Sequence, residues 1–194
     1  MATDSNGAER TITDGFGRTV TIPAEVKEVI CSGSGCLRYL TYLDGQDLIV
    51  GVDSIEKEPQ AMDARGYALL NPQFKDYPLF GEFRGKDDPE KVIALAPQLI
   101  FKTGASGQPS ATNSVEGDKL TEKTNIPVVM FPYGSLRTAA EQAEMFSGLR
   151  LMGEVIGKED RANELIAYIE ETISDLKSRT KDIPESEQKT AYVG

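Results

Sequence analysis

Along the chain, short unbroken apolar runs alternate with longer apolar stripes at three- and four-residue steps, the pattern of buried strands and the helices that cover them. Val29-Ile30-Cys31, Leu48-Ile49-Val50-Gly51-Val52, Leu79-Phe80, Leu99-Ile100-Phe101-Lys102 and Pro127-Val128-Val129-Met130-Phe131 predict core strands. Leu37, Leu40 and Leu43 predict a helix that Gly45 ends, and 115–124 predicts another. Upstream, Thr11-Ile12-Thr13 and Thr19-Val20-Thr21-Ile22 flank Asp14-Gly15-Phe16-Gly17, a hairpin closed by Pro23. Downstream, Leu136, Ala139, Ala143, Phe146, Leu149, Met152, Val155 and Ile156 predict a long helix capped by Ser135 and stopped by Gly157. The longest stripe is Ala162, Leu165, Ile166, Ile169, Ile173 and Leu176, a helix over 159–181. Alternating strands and helices imply an α/β class: a three-layer domain with a central mostly parallel sheet, an N-terminal β-hairpin and a long C-terminal helix.

Where the periodicity fades, turn chemistry takes over. Residues 56–77 read as a long ordered loop with a short helix at 61–64 and turns at Asn71-Pro72 and Tyr77-Pro78, because a residue before proline is pushed out of the helical region. Residues 103–114, rich in Gly, Ser, Ala and Thr, read as a loop that is mobile until something binds it. Lys189 to Gly194 read as a strand beginning.

One stretch joins a helix directly to a core strand. Asp88 is placed to cap and Pro89 to start a helix of about two turns; Val92, Ile93 and Leu95 give it an apolar face, and Pro97 ends it before Leu99. Glu90, in its first turn, complements the helix dipole.

Composition narrows the function. The chain carries 21 basic and 31 acidic residues, net −10, which argues against nucleic acid or an anionic membrane surface as partner. It has no histidine, which removes Ser/His triads, histidine bases and the usual zinc ligand sets, so no catalytic residue and no metal ligand is assigned. Cys31 and Cys36 straddle a glycine-rich loop; they suit buried, inert thiols, or one short-loop disulfide. No apolar run is long enough to cross a bilayer, so no direct membrane insertion is expected, and the first residues lack the features of a secretory leader.

Open α/β sheets bind ligands at the carboxyl ends of their strands. Here those ends carry Ser32, Gly33 and Ser34, then Asp53, then Phe83 and Arg84, then Lys102 and Thr103, and finally Tyr133. Arg38, Arg84 and Lys102 offer charge to an anionic ligand group, and Tyr133 a ring to a flat one. Without histidine or a cluster of carboxylates or tyrosines, a chelated metal or a corrinoid suits this rim better than naked iron. Gly33-Ser34-Gly35 with Asp53 also imitates a dinucleotide fingerprint, but Arg38 stands where the third glycine belongs. A non-catalytic interaction domain is a third possibility.

The order Gly81-Glu82-Phe83 followed by Asp88-Pro89-Glu90-Lys91-Val92-Ile93-Ala94-Leu95-Ala96-Pro97-Gln98-Leu99-Ile100 resembles a signature of substrate-binding proteins of iron–siderophore, haem and cobalamin ABC importers, the class III periplasmic binding proteins. The opening hairpin and Asn125-Ile126-Pro127-Val128-Val129 resemble that family too, with Asp88-Pro89 replacing its commoner Asn-hydrophobic pair. The resemblance implies two lobes joined by a long helix, a ligand held between them, and a permease arginine that meets the acid at Glu90. It implies a solute-binding component for a ferric siderophore, haem or cobalamin, without catalysis or cofactor, outside the cytoplasm. On that reading 1–10 is a disordered tail, 11–157 the N-terminal lobe, 158–184 the interlobe helix and 185–194 the start of a truncated second lobe.

Overall fold

The computed structural model describes residues 8–58, 64–104 and 110–190. The chain opens with an antiparallel pair, β1 (Glu9–Thr13) and β2 (Thr19–Pro23), in which Ile12 faces Val20. Next come β3 (Val29–Ser32), α1 (Cys36–Tyr42), a 3₁₀ turn at Gln46–Leu48, and β4 (Ile49–Asp53). Leu48, expected to open β4, thus lies in the turn before it. The stretch expected to be one long loop holds α2 (Ser54–Lys57), α3 (Gly66–Leu70) and a 3₁₀ turn at Pro72–Asp76. These pieces are too short to show periodicity; Asp53 starts the first by accepting a hydrogen bond from the Ile55 amide at 3.1 Å. The short helix expected at 61–64 falls at 61–63 outside the described residues.

The second half contains β5 (Leu79–Glu82), β6 (Lys86–Asp87), α4 (Pro89–Leu95), β7 (Leu99–Thr103), α5 (Ser110–Thr124), β8 (Val128–Phe131), α6 (Ala139–Ile156) and α7 (Glu159–Thr180). α5 begins five residues before the expected Val115, its first turns built from the small polar residues that had suggested a loop. The rest of that loop, 105–109, lies outside the described residues, as does 191–194 of the expected final strand; Glu185–Glu187 is a 3₁₀ turn.

Six strands form one sheet in the order β6-β5-β4-β3-β7-β8, parallel except for the hairpin edge β6. Period-two alternation in the central strands divides the interior. Val29, Cys31, Leu99, Phe101, Val129 and Phe131 join the core under α1, α6 and α7. Ile30, Ile100, Val128 and Met130 join the other, with Val92 of α4 and Leu120 of α5. This is the expected three-layer α/β arrangement. Cys31 and Cys36 are both free and buried; burial and then the hydrogen bond with Cys31 push the Cys36 thiol well up.

Three local expectations need correction. Ile93 is about half exposed, because α4 is only seven residues long and Val92, its neighbour, takes the inward position. Ala96, in the left-handed region (φ 49°), ends α4 one residue before Pro97. Ser135 does not cap α6: Thr138 does, its hydroxyl accepting from the Glu141 amide while Glu141 reaches back to the Thr138 amide, and Leu136 lies outside the helix, exposed.

Candidate functional site

From β3 the chain steps to β4 and β5 on one side and returns to β7 on the other, so the topology reverses between β3 and β7. Loops leaving such adjacent strands in opposite directions open a crevice at their carboxyl ends. Ser32 and Lys102 pair across it in register. Above them lies an open cavity of about 550 Å³. Gly33, Ser34, Lys102, Thr103 and Gly104 line it from the ends of β3 and β7, Phe83, Arg84 and Gly85 from the β5–β6 turn, Glu116 from α5, and Tyr133 from the segment after β8.

Lys102 contributes differently from the sequence expectation. Its Nζ donates to Asp87 Oδ2 at 2.6 Å, the Gly85 carbonyl at 3.0 Å and Ser32 Oγ at 3.1 Å, while Ser32 Oγ donates to Asp87 Oδ1 at 2.6 Å. All three ammonium protons are used. Both charged side chains are over nine-tenths buried, so Asp87 neutralises Lys102 inside the fold and the lysine borders the cavity without offering it a free charge. This network pins the 83–87 turn, hence Phe83 and Arg84, onto the sheet. Gly85 (φ 75°) belongs to it: a Cβ there would stand 2.9 Å from Lys102 Nζ. Gly33 (φ 88°) has a packing role, since a Cβ would come within 3.0 Å of the Thr103 carbonyl oxygen on β7. That accounts for the first glycine of the apparent dinucleotide pattern without a phosphate.

Arg38 is not on this cavity but on a second, of about 380 Å³, with Tyr42, Arg65 and Tyr67. Ser34, Phe83 and Tyr133 line both and form the ridge between them. Tyr39 supports that ridge by donating its hydroxyl to the Gly134 carbonyl at 3.2 Å. Asp53 faces neither cavity. It lines a void of about 20 Å³ under the ridge, beside Cys31, Glu56 and Phe83. Burial raises the Asp53 carboxyl to about 6; the nearby Glu56 and Asp87 charges push the same way, against the Ile55 amide and Arg65. Glu56, buried beside it, receives Arg65 at 2.8 Å and the Tyr67 hydroxyl at 2.9 Å. Burial and then Glu56 raise the Tyr67 phenol.

The structure therefore gathers Gly33, Ser34, Phe83, Arg84, Lys102, Thr103 and Tyr133 around one cavity, places Ser32 beneath it, Arg38 next door and Asp53 below. Sequence reading missed Asp87, Gly85 and Glu116. A usable signal existed for Asp87: a lysine inside an otherwise apolar core strand needs a buried counter-charge, and Asp87 follows the adjacent turn. Glu90 is exposed in the first turn of α4, whose cap Asp88 accepts from the Glu90 and Lys91 amides at 3.1 and 3.3 Å. Because β6 brings the chain back from the carboxyl end of β5, this turn faces the same end of the domain as the strand-end loops. Among the described residues no group of His, Cys, Asp or Glu is arranged to hold a metal ion, and no helix is long and apolar enough to cross a membrane.

Comparison with known proteins shows what shares this plan. The family model described as periplasmic binding protein matches residues 29–194. An uncharacterised ABC transporter substrate-binding lipoprotein of Bacillus subtilis is 23% identical, covering 94% of this chain and 51% of its own. The molybdate-binding protein of Haemophilus influenzae is 28% identical over 82% of this chain and 46% of its own; its molybdate-bound structure superposes with a TM-score of 0.71, over 92% of this chain and 56% of that one. The petrobactin-binding protein of Bacillus subtilis gives a TM-score of 0.67 at 22% identity, over 91% and 55% of the two chains. The chain thus spans about half the length of the relatives it matches. A family model that covers most of the chain, on an α/β sheet with its crevice at the β3/β7 switch, shows that the chain belongs to the periplasmic binding protein family.

Proposed function

We propose that this chain is the N-terminal lobe and interlobe helix (158–184) of an extracytoplasmic solute-binding component of an ABC importer, and that its solute is a chelated metal or corrinoid: a ferric siderophore, haem or cobalamin. The observation that supports this best is the open cavity of about 550 Å³ at the β3/β7 switch point, with Phe83 and Tyr133 in its lining. A volume and aromatic lining of that kind fit a ligand of many atoms better than a four-oxygen anion such as molybdate. The reading is of binding without catalysis, the Ser32 hydroxyl beside Lys102 and Asp87 being buried beneath the cavity. Glu90 is the acid proposed to meet a permease arginine.

The cavity is one wall of such a site. A ligand pocket encloses most of its ligand, so a single lobe forfeits about half of that burial. If half of a nanomolar binding energy is lost, roughly 6 kcal/mol, the affinity falls to tens of micromolar or weaker. Calorimetric titration of the 194-residue chain with ferric siderophores, haem, cobalamin and molybdate tests this. Weak, saturable binding of one of the first three is the expected result. Tight one-to-one binding would overturn the one-lobe reading, and no binding of any chelate at millimolar concentration would overturn the solute class.

A further inference from the structure

Three glycines from three parts of the chain leave room for the turn between β1 and β2. A Cβ on Gly15 would stand 2.8 Å from Phe131 Cα on β8, one on Gly104 2.5 Å from the Phe16 ring and 3.0 Å from Asn113 Nδ2, and one on Gly117 of α5 2.6 Å from Arg18 Nη1. The turn therefore meets the end of β7 and α5 at backbone distance. It is also fixed to β8, the edge strand of the sheet. The Gly15 amide donates to the Met130 carbonyl at 2.8 Å, the Met130 amide to Asp14 Oδ2 at 3.1 Å, and Arg18 to the Val128 carbonyl. The buried Asp14 carboxylate pairs with Arg18 at 2.8 Å, and Arg18 reaches on to Asp118 of α5, also at 2.8 Å. Behind the turn, Ile12, Val20 and Ile22 join the core under α1, α6 and α7, while Phe16 packs against the core on the other face, so the hairpin grips the sheet edge from both sides.

Two of these contacts lead to the first cavity. Gly104, against Phe16, lines it, and so does Glu116, the residue before Gly117 on α5. We infer that Phe16 and Arg18 are positioning residues for this cavity: the turn is a bracket that ties the end of β7 and the first half of α5 to the sheet edge, and so sets where Gly104 and Glu116 stand. A wall held in place before a solute arrives needs no ordering when the solute binds. The inference rests on the proposed function only in taking the cavity as the solute's site.

Amide exchange of the 194-residue chain, read by mass spectrometry, tests the bracket in Phe16→Ala, Phe16→Leu and Asp118→Ala. Asp118 is exposed and Arg18 keeps Asp14, so Asp118→Ala cuts the tie to α5 alone. Phe16→Ala should speed exchange at 101–104 and 112–120 about tenfold more than in α6, and Asp118→Ala about threefold more at 112–120, while Phe16→Leu keeps most of the protection. A hairpin that serves only overall stability would speed every protected segment alike, in step with the loss seen by thermal unfolding. That result, an effect confined to 9–23, or no effect would overturn the inference. In equilibrium dialysis against haemin, cyanocobalamin and iron(III) tris-catecholate, a probe that the parent binds should bind about fivefold more weakly to Phe16→Ala and within about twofold to Phe16→Leu. A probe held equally by the parent and Phe16→Ala would also overturn the positioning role. Where the parent binds none of the three, amide exchange still decides this inference, and only the proposed solute class falls.

Discussion

The Asp87–Lys102 pair is the residue-scale feature with the largest predicted energy. Removing one member of a buried pair strands the other charge, so Lys102→Met should cost about 3–5 kcal/mol in urea unfolding, whereas Lys102→Met with Asp87→Leu should recover most of that loss. A single-variant cost below about 1 kcal/mol would mean that solvent reaches the pair. Asp53 makes the opposite kind of contribution. Its folded carboxyl is raised to about 6 from an ordinary 3.8, so between those values the folded state binds more protons than the unfolded. Its effect is therefore favourable at low pH and lost as pH rises through 6. Asp53→Asn, which can still cap α2, should match the parent near pH 4 and exceed it by up to roughly 2 kcal/mol at pH 8, screening considered. Unfolding midpoints across that range check the sign; a gain at pH 4 that disappears at pH 8 would contradict it. The role of Asp53 was not legible in the sequence, and that of Lys102 only as the need of a lysine in an apolar strand for a buried counter-charge. Composition places Lys102 on a strand and Asp53 at a strand end, but only the β5–β6 return shows which acid meets the lysine, and only packing shows that Asp53 lies under the ridge.

At the scale of elements, sequence pattern succeeded where an element was long enough to carry a period, or where two signals coincided. Asp88-Pro89 opens α4 and Gly157, at φ 68°, closes α6, both as expected from capping chemistry. α2, α3 and β6 are each shorter than one clear repeat, and they were missed for that reason. The start of α6 was misplaced because two hydroxyls three residues apart both suit a cap, and only Thr138 has a Glu at its third helical position. Thr138→Ala should therefore destabilise the protein by about 1 kcal/mol and Ser135→Ala by clearly less, measured by thermal or urea unfolding. α7 divides along its length. Ala162 and Ile166 are buried and Leu165 and Ile169 pack against the core, but Leu176 is about half exposed on the same stripe. Amide exchange should follow that division, slow around Ala162 to Ile169 and fast beyond Ile173, because local opening is cheapest where few apolar contacts are broken. Uniform protection over the whole of α7 would show that the bare end of the stripe is covered in solution.

For the whole molecule, the decisive geometry is that the cavity loops and the first turn of α4 share one end of the domain while remaining separate surfaces. The proposed solute meets the β3/β7 crevice, the proposed permease arginine meets Glu90, and β6 lies between them in the chain. Glu90 sits on a turn held by its own cap, so a change of its side chain leaves Asp88, the Phe80 carbonyl bond to the Asp88 amide at 3.1 Å, and the Asp87–Lys102 network untouched. Reversing its charge should then act on docking alone. Like charges placed opposite one another across an interface cost association several kcal/mol at most, and 1.4 kcal/mol already means tenfold. Glu90→Arg in the importer-coupled protein should lower uptake about tenfold or more while leaving chelate affinity unchanged, and Glu90→Gln should fall between it and the parent. Uptake assays paired with equilibrium binding on the same variants separate the two surfaces. An equal loss of uptake and binding would mean that Glu90 supports the fold of the crevice, and undiminished uptake by the arginine variant would place the permease contact elsewhere on the lobe.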